Sequence, residues 1–254
     1  LGDVRILAVA PEPGGEPAEL LLDTERVALQ ALFDMIRRFK VGYDVDVHKR
    51  TLERGLLSLI GPEAPSVSGA RELGAEEHST APVEIASVPA LAVRTADGVD
   101  LLCDAAATAE LSAALSARGA AAVSAAAEEC LRVEHGRPRY GLDIDESTIP
   151  QEAGLNERAV SFTKGCYVGQ ETVARLFYRG KPNRHLRGLR LSAPAEHGER
   201  LTLAGRPVGT LGSVALSPAL GPIALALVRR EAEPGALVQV GPDGVSAKVV
   251  ELPF

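Results

Sequence analysis

The sequence predicts an α+β protein that ends in a small β-barrel. Up to about residue 180, strand-like runs alternate with segments that carry apolar residues at helical spacing. After Arg187 the pattern changes to short apolar runs separated by glycine and proline, which is typical of small barrels. We therefore predict two domains, at residues 1–180 and 181–254.

A hairpin and an amphipathic helix are predicted to open the first domain. The hairpin pairs strands at 1–10 and 19–22 across a turn at 11–17 that is rich in proline and glycine. Apolar residues then recur every four positions from Val27 to Phe39, which predicts a helix with this stripe as its buried face.

The ends of that helix are predicted from residue types with known terminal preferences. Asp23 or Thr24 is expected to cap its first turn, and Gly42 is expected to end it. Polar and apolar residues alternate over 44–47, which predicts a short strand after the helix.

From about residue 51 to 130 the element order is that of a ferredoxin-like unit. The sequence predicts a strand at 55–60, a helix at 61–73 and a hairpin at 89–103. The alanine-rich stretch 105–127 is predicted to supply a second helix and the last strand. Six strands follow in the second domain, at 189–191, 200–203, 207–214, 223–228, 237–240 and 247–250.

Composition and charge narrow the class of protein. Hydrophobic residues make up 46% of the chain and charged residues 24%, as in ordinary folded proteins. The net charge of −7 argues against a general nucleic-acid binder, because phosphate contacts supply much of such a protein's affinity. Three cysteines without CxxC spacing fit neither a disulfide framework nor a zinc site, so we expect a reducing cytoplasmic compartment.

No targeting or membrane signal is evident in the sequence. Asp3 and Arg5 interrupt the apolar run at 1–10, which disfavours a signal peptide, and no apolar run approaches membrane-spanning length. We therefore expect no membrane partner. The chain begins at Leu1 rather than at methionine, within a predicted strand, which leaves room for an upstream segment.

The segment Lys164–Glu171, KGCYVGQE, concentrates reactive groups. It places a thiol, a cation, a phenol, an amide and a carboxylate in eight residues, and Gly165 and Gly169 allow a ligand to approach closely. Cys166 is close to Lys164 and to the start of a predicted helix, and both features favour the thiolate. A structural cysteine in a turn explains the same residues, and chemistry alone leaves both interpretations open.

The other two cysteines are predicted to be structural. Cys103 lies in an apolar strand and Cys130 lies in a helix beside Leu131, where a free cysteine usually behaves as a small hydrophobic residue.

KGCYVGQE resembles the signature of the YgfZ folate-binding proteins, which are related to the T-protein of the glycine cleavage system. The likeness runs along nearly the whole chain, since residues 131–155 and the ending VELPF are similar to T-proteins. The resemblance implies a folate-binding α/β part, a ferredoxin-like part and a C-terminal barrel around a channel that holds tetrahydrofolate or a one-carbon derivative.

YgfZ proteins support the assembly or repair of iron–sulfur enzymes, so the resemblance implies this role, with iron–sulfur client or assembly proteins as partners. An alternative is a folate-dependent aminomethyltransferase of the T-protein type, or another one-carbon transferase. A third is an interaction module that kept the fold and lost the ligand, because function belongs to the site rather than to the fold.

The resemblance also implies roles for particular residues. Cys166 and Lys164 of the motif are the expected reactive groups, together with Asp3, which aligns with the catalytic aspartate of T-proteins. Asp100 stands where T-proteins carry a folate-binding glutamate. A surface acid is the alternative for both aspartates. The remaining expected folate contacts are Gly165, Tyr167, Gly169, Gln170 and Glu171.

This chain departs from the T-protein pattern in places that weaken the aminomethyltransferase interpretation. Glu128 stands where T-proteins carry an arginine, and a T-protein tyrosine falls just beyond Phe254. Leu20 and Leu22 match apolar positions of the folate wall, although core packing explains them equally well.

Two charged stretches remain. An acidic cluster, for which we favour hydrogen-bonding loop acids over a metal site, consists of Asp143, Asp145, Glu146 and Glu152. The stretch 175–190 carries six Lys or Arg residues and no acid. It suits the polyglutamate tail of a folate, an acidic partner or a solvated loop, and the sequence leaves the three open.

Overall fold

The computed structural model describes residues 3–9, 19–242 and 244–254, and these divide into two compact units. The N-terminal unit comprises residues 3–122 and the C-terminal unit residues 123–254. The predicted domain boundary after residue 180 stays a prediction. None of the helices in the described residues is long and apolar enough to cross a membrane.

The N-terminal unit begins with the predicted hairpin. Strands β1 (Val4–Val9) and β2 (Glu19–Thr24) pair antiparallel, with Val4 opposite Thr24 and Val9 opposite Glu19. The predicted turn at 11–17 lies outside the described residues.

Helix α1 (Arg26–Phe39) forms, but three predictions around it are wrong. Its N-cap is Glu25, because Asp23 and Thr24 are already part of β2. Val27 and Phe39 of the predicted buried stripe are exposed, and Ala28 is buried instead. Residues 44–47 form no strand, since alternation alone provides no partner for the backbone groups.

Four antiparallel strands form the sheet of the N-terminal unit. In the order β3-β6-β5-β4 they are β3 (Arg54–Ile60), β6 (Gly98–Asp104), β5 (Val88–Arg94) and β4 (Thr80–Ile85). Helices α2 (Ala64–Ser68) and α3 (Thr108–Ala117) contribute to a core with Val99, Leu101 and Leu111, all fully buried.

The element order predicted for the ferredoxin-like unit is corrected in two places. The extra strand β4 was missed because it contains Pro82, which a sheet tolerates at an edge, and β4 is an edge strand. The strand predicted after α3 is absent, since residues 120–124 form no ladder. The helix predicted at 61–73 is also shorter, because Gly69 ends it in the left-handed conformation.

The C-terminal unit is a closed six-stranded barrel with three helices in its described residues. The helices are α4 (Ala125–Glu134), α5 (Asn156–Ala159) and α6 (Gln170–Arg179). The strands, which confirm all six predictions, are β7 (Arg184–Leu191), β8 (Arg200–Leu203), β9 (Arg206–Ser217), β10 (Gly221–Arg229), β11 (Leu237–Val240) and β12 (Val245–Val250). They close in the order β10-β7-β12-β11-β8-β9 around fully buried Leu, Val and Ala side chains.

Candidate functional site

The predicted site residues fall into two groups, one in each unit. Asp3 and Asp100 belong to the N-terminal unit, and the segment Lys164–Glu171, the motif loop, belongs to the C-terminal unit. The two groups are described in turn.

In the N-terminal unit, Asp100 belongs to a chain of four polar side chains that we call the Arg5 network. Arg5 Nη1 donates to Asp100 Oδ2 at 2.6 Å, and Arg5 Nη2 donates to Asp23 Oδ2 at 2.6 Å. The Ser58 hydroxyl donates to Asp100 Oδ1 at 2.7 Å. Arg5 therefore links the hairpin to the sheet through Asp100, and it links the two strands of the hairpin to each other through Asp23.

Within the Arg5 network, the side chains of Arg5 and Asp100 are largely withdrawn from water, whereas Asp23 and Ser58 are open to solvent. Burial lowers the pKa of the Arg5 guanidinium, but the hydrogen bond and charge of Asp100, together with Asp23, outweigh burial, and the net direction is upward. Arg5 therefore stays cationic. An ionised carboxylate has about four acceptor positions, so Asp100 keeps capacity for further donors after binding Arg5 and Ser58.

The position of Asp100 follows from strand alternation. On β6, Val99 and Leu101 point into the core, so Asp100 points to the other face of the sheet, where Ser58 lies directly opposite it on β3. Leu56 and Ile60 alternate with core residues in the same way and remain partly open to solvent. This face therefore offers a buried carboxylate beside exposed apolar side chains.

The other predicted residues of this unit are not gathered around Asp100. Asp3 is exposed, and its backbone carbonyl accepts a hydrogen bond from the Thr24 hydroxyl. Leu20 and Leu22 are also exposed and alternate with Asp23, so they lie on the hairpin face opposite to the Arg5 network.

The residue pattern predicts no site role for Arg5, Asp23 or Ser58, since it indicates only a helix cap for Asp23 and an interrupting charge for Arg5. An arginine inside such a strand needs a buried acceptor, and that requirement is the signal that points to a partner acid.

In the C-terminal unit, the motif loop leads directly into α6. Gly169 precedes the helix at φ +92°, a conformation that favours glycine. A side chain at Gly165 would meet no atom within 4 Å, so neither its backbone angle nor crowding requires glycine there.

Cys166 is exposed, and its contact is with Gln170 rather than with Lys164. The Gln170 amide Nε2 lies 3.7 Å from Cys166 Sγ, while its Oε1 accepts from the Tyr167 backbone N–H at 3.1 Å. Lys164 Nζ instead lies 4.9 Å from the centroid of the Tyr167 ring. Gln170 thus ties the loop to the first turn of α6, where the exposed Glu171 follows it.

The remaining cysteines are structural, as predicted. Cys103 is 1% exposed and Cys130 is 9% exposed. Burial, followed by the charge of Glu134, raises the pKa of the Cys130 thiol. Cys166 is therefore the accessible thiol among the three.

The acidic cluster confirms the hydrogen-bonding interpretation. Asp143 is buried against Arg132 and Ser213, and Glu152 accepts two hydrogen bonds from Arg184. Asp145 accepts from the backbone N–H of Ser147 at 2.8 Å. In the part of the chain that the structure describes, no group of three or more His, Cys, Asp or Glu side chains is placed to hold a metal ion.

Comparisons with known proteins consistently match this chain to glycine cleavage T-proteins and aminomethyltransferases. Residues 184–254 match the glycine cleavage T-protein C-terminal barrel domain. An aminomethyltransferase of Rubrobacter xylanophilus is 33% identical, over 86% of this chain and 61% of that protein. An aminomethyltransferase of Streptomyces coelicolor is 30% identical, over 100% of this chain and 76% of that protein.

A solved structure agrees in fold. The crystal structure of the glycine cleavage system aminomethyltransferase T from Bartonella henselae superposes with a TM-score of 0.78 at 25% identity, over 100% of this chain and 76% of that one. The chain spans 56% to 66% of the length of three of the curated relatives.

Proposed function

Since this chain belongs to the aminomethyltransferase family, we propose that it binds tetrahydrofolate or a one-carbon derivative and serves iron–sulfur proteins through the thiol of Cys166. This assigns it to the YgfZ branch of the family and to the reducing cytoplasm. The observation that carries the proposal is the exposed Cys166 in the motif loop, because thiolates act as nucleophiles and metal ligands only where a partner can reach them.

The folate contact is assigned to Asp100. A pterin edge offers an amine and a ring N–H as paired donors, which suits a carboxylate with free acceptor positions. Arg5 and Ser58 hold the Asp100 carboxylate in one orientation, and Leu56 and Ile60 supply apolar surface on the same sheet face. Such a preformed acceptor lowers the cost of ordering on binding.

The second candidate function is aminomethyl transfer to or from folate. The names of the relatives from Rubrobacter and Streptomyces favour it, as does the alignment of Asp3 with the catalytic aspartate of T-proteins. Against it stands Glu128, which replaces the T-protein arginine and lies 3.8 Å from Arg139 in an ion pair.

One set of measurements on the purified protein tests both candidates. Calorimetric titration with tetrahydrofolate is expected to give saturable binding, and an aminomethyl-transfer assay is expected to give no turnover. Cells that lack the corresponding protein should regain iron–sulfur enzyme activity with the wild-type chain. Absence of folate binding at near-millimolar ligand would remove the folate proposal, and turnover without complementation would establish the second candidate.

Asp100→Asn is expected to weaken tetrahydrofolate binding by about 1–3 kcal/mol, because the new amide presents a donor where the pterin also presents donors. Titration calorimetry on the folded variant measures the effect. Asp23→Asn is the matched control, since Asp23 is the other carboxylate bound by Arg5 but lies on the hairpin. Glu128→Gln is a second control in the C-terminal unit. Equal affinities for the three variants would count against Asp100 as the folate contact.

A further inference from the structure

A cluster of aromatic side chains lies on both sides of the motif loop in the C-terminal unit. The chain has 5 Phe and 4 Tyr residues, and four of these nine fall between residues 162 and 178. Phe162 and Phe177 stack with ring centroids 4.1 Å apart, and Tyr178 meets Phe177 edge to face at 5.0 Å. Such pairs are stabilising beyond the area that they bury, so the three rings hold one another in place. We call Phe162, Phe177 and Tyr178 the aromatic cluster.

The stack of Phe162 on Phe177 joins the two ends of the segment that carries Cys166. Phe162 precedes the motif loop, and Phe177 lies in the second half of α6. The Cα atoms of Phe162 and Cys166 are at most about 14 Å apart, since only four residues of chain separate them. A partner that binds the aromatic cluster is therefore held close to the exposed thiol.

The aromatic cluster and its surroundings are open to solvent although they are apolar. Phe177 is 47% exposed and Tyr178 is 69% exposed, and Val168 of the motif loop is fully exposed. Tyr178 also shares one face of α6 with Arg175, which lies three positions before it. Exposed apolar side chains that are grouped together and bordered by polar ones are typical of an interaction surface.

The charge around the aromatic cluster is predominantly positive. Residues 158–190 contain eight Lys or Arg residues and one acid, Glu171. Some of these cations are neutralised by acids elsewhere in the unit. Lys164, Arg175 and Lys181 are exposed, however, and none of them forms an ion pair with any residue that the structure describes. In a chain with a net charge of −7, this local positive field favours an acidic partner.

We propose that the aromatic cluster, together with Val168 and Arg175, is the docking surface for the iron–sulfur protein that Cys166 serves, and that this partner docks through an acidic segment with apolar side chains. The rings and Val168 bury the apolar side chains of the partner, and Arg175 meets its carboxylates. Tyrosine and arginine are enriched among the side chains that dominate protein interfaces. The inference rests on the proposed function, because Cys166 supplies the chemistry for which the partner docks.

A single-stranded nucleic acid is the other class of partner that binds aromatic rings beside cations. Two observations favour a protein instead. The stack of Phe162 on Phe177 covers one face of each ring, which leaves less ring surface for bases. The net charge of −7 also repels a polyanion as large as RNA.

Photo-crosslinking in cells tests where the partner binds. The full chain carries p-benzoylphenylalanine in place of Tyr178, and a control chain carries it in place of Leu237, which is 65% exposed on β11 of the same unit. Position 178 is expected to crosslink to acidic peptides of iron–sulfur proteins or of their assembly proteins. Position 237 is expected to give no such crosslinks.

Substitutions test whether function requires the docking surface. Tyr178→Ser and Arg175→Glu are each expected to reduce the iron–sulfur enzyme activity that complementation restores about fivefold or more, as truncation of a dominant interface side chain does. Leu237→Ser and Arg206→Glu are the matched controls, since both replace exposed side chains of the barrel, and they should complement fully. In the two docking variants the melting temperature and the alkylation rate of Cys166 should stay close to those of the wild type. These two readouts separate a loss of docking from a loss of the fold or of the thiol.

Three results would overturn the docking assignment. They are full complementation by both docking variants, equal losses in the two controls, and position 178 that crosslinks to nothing, to RNA or only to proteins without a connection to iron–sulfur clusters. In each case a wild type that complements leaves the proposed function standing. If the wild type does not complement, the proposed function fails first and the docking assignment fails with it.

Discussion

Cys166→Ser is expected to abolish the support of iron–sulfur enzymes while it leaves the melting temperature within about 2 °C of the wild type. The thiol is exposed and accepts one weak hydrogen bond, from the Gln170 amide, so the substitution removes little buried surface. Complementation of an iron–sulfur-enzyme defect and thermal melting of the purified variant give the two readouts.

Alkylation rates provide the internal control for this prediction. Near neutral pH, Cys166 is expected to react with iodoacetamide faster than Cys103 or Cys130, because the latter two are buried and the pKa of Cys130 is raised by burial and by Glu134. Cys103→Ser and Cys130→Ser should lower stability instead.

Two further variants of the motif loop test which neighbours of the Cys166 thiol its function requires. Gln170→Ala removes the side chain that contacts Cys166 and the Tyr167 backbone, and it should give a partial defect. Lys164→Ala is expected to have a smaller effect, since Lys164 lies against the Tyr167 ring. Full complementation by Cys166→Ser would overturn the thiol role and would leave a folate-binding protein whose motif cysteine has no chemical part.

Asp143→Ala is expected to lower the free energy of unfolding by about 3–5 kcal/mol, as the loss of one partner from a buried ion pair typically does. The Asp143 side chain is 0% exposed and that of Arg132 is 9% exposed, at 3.1 Å from each other. Asp143 also accepts from the backbone N–H of Ser213 at 2.6 Å and of Arg139 at 2.8 Å. The alanine variant leaves Arg132 with Glu129 as its remaining carboxylate partner, and it leaves the backbone donors of Ser213 and Arg139 without this acceptor. Urea denaturation measures the change.

Two variants control the Asp143 experiment. Asp145→Ala removes an exposed acid two residues from Asp143, together with its hydrogen bond from the Ser147 backbone N–H. We expect it to lower the free energy of unfolding by less than about 1 kcal/mol. Gly212→Ala would place a Cβ atom 2.3 Å from Asp143 Oδ1, so it should also destabilise the barrel.

Gly212→Ala destabilises the protein by displacing the Asp143 carboxylate, which Asp143→Ala removes outright. The double variant should therefore lose clearly less free energy of unfolding than the sum of the two single losses. An Asp143→Ala protein as stable as the wild type, or strict additivity with Gly212→Ala, would show that the contacts of Asp143 with Arg132, Arg139 and Ser213 do not stabilise the fold.

The elements that the sequence alone determined are those with local causes. All six barrel strands were predicted because the chain after Arg187 carries short apolar runs punctuated by glycine and proline, although β7 and β9 extend beyond their predicted bounds. The β5–β6 hairpin was predicted because Asp97-Gly98, between two apolar runs, favours a tight turn. The motif loop was located by its residue types, and its Cys166 is the exposed thiol.

Other features were decided only by the tertiary structure, because their causes are contacts between residues distant in sequence. Arg5 meets Asp100 across 95 positions, and Ser213 meets Asp143 across 70. Pro82 is compatible with a strand only because β4 lies at an edge of the sheet. The strand order that sets these neighbours is not encoded in the local periodicity of any one segment. Which side chains are buried, and which residues pair with them, therefore follows only from the fold. There the buried carboxylates of Asp100, Asp143 and Glu152 each lie beside an arginine that offsets the cost of burying a charge.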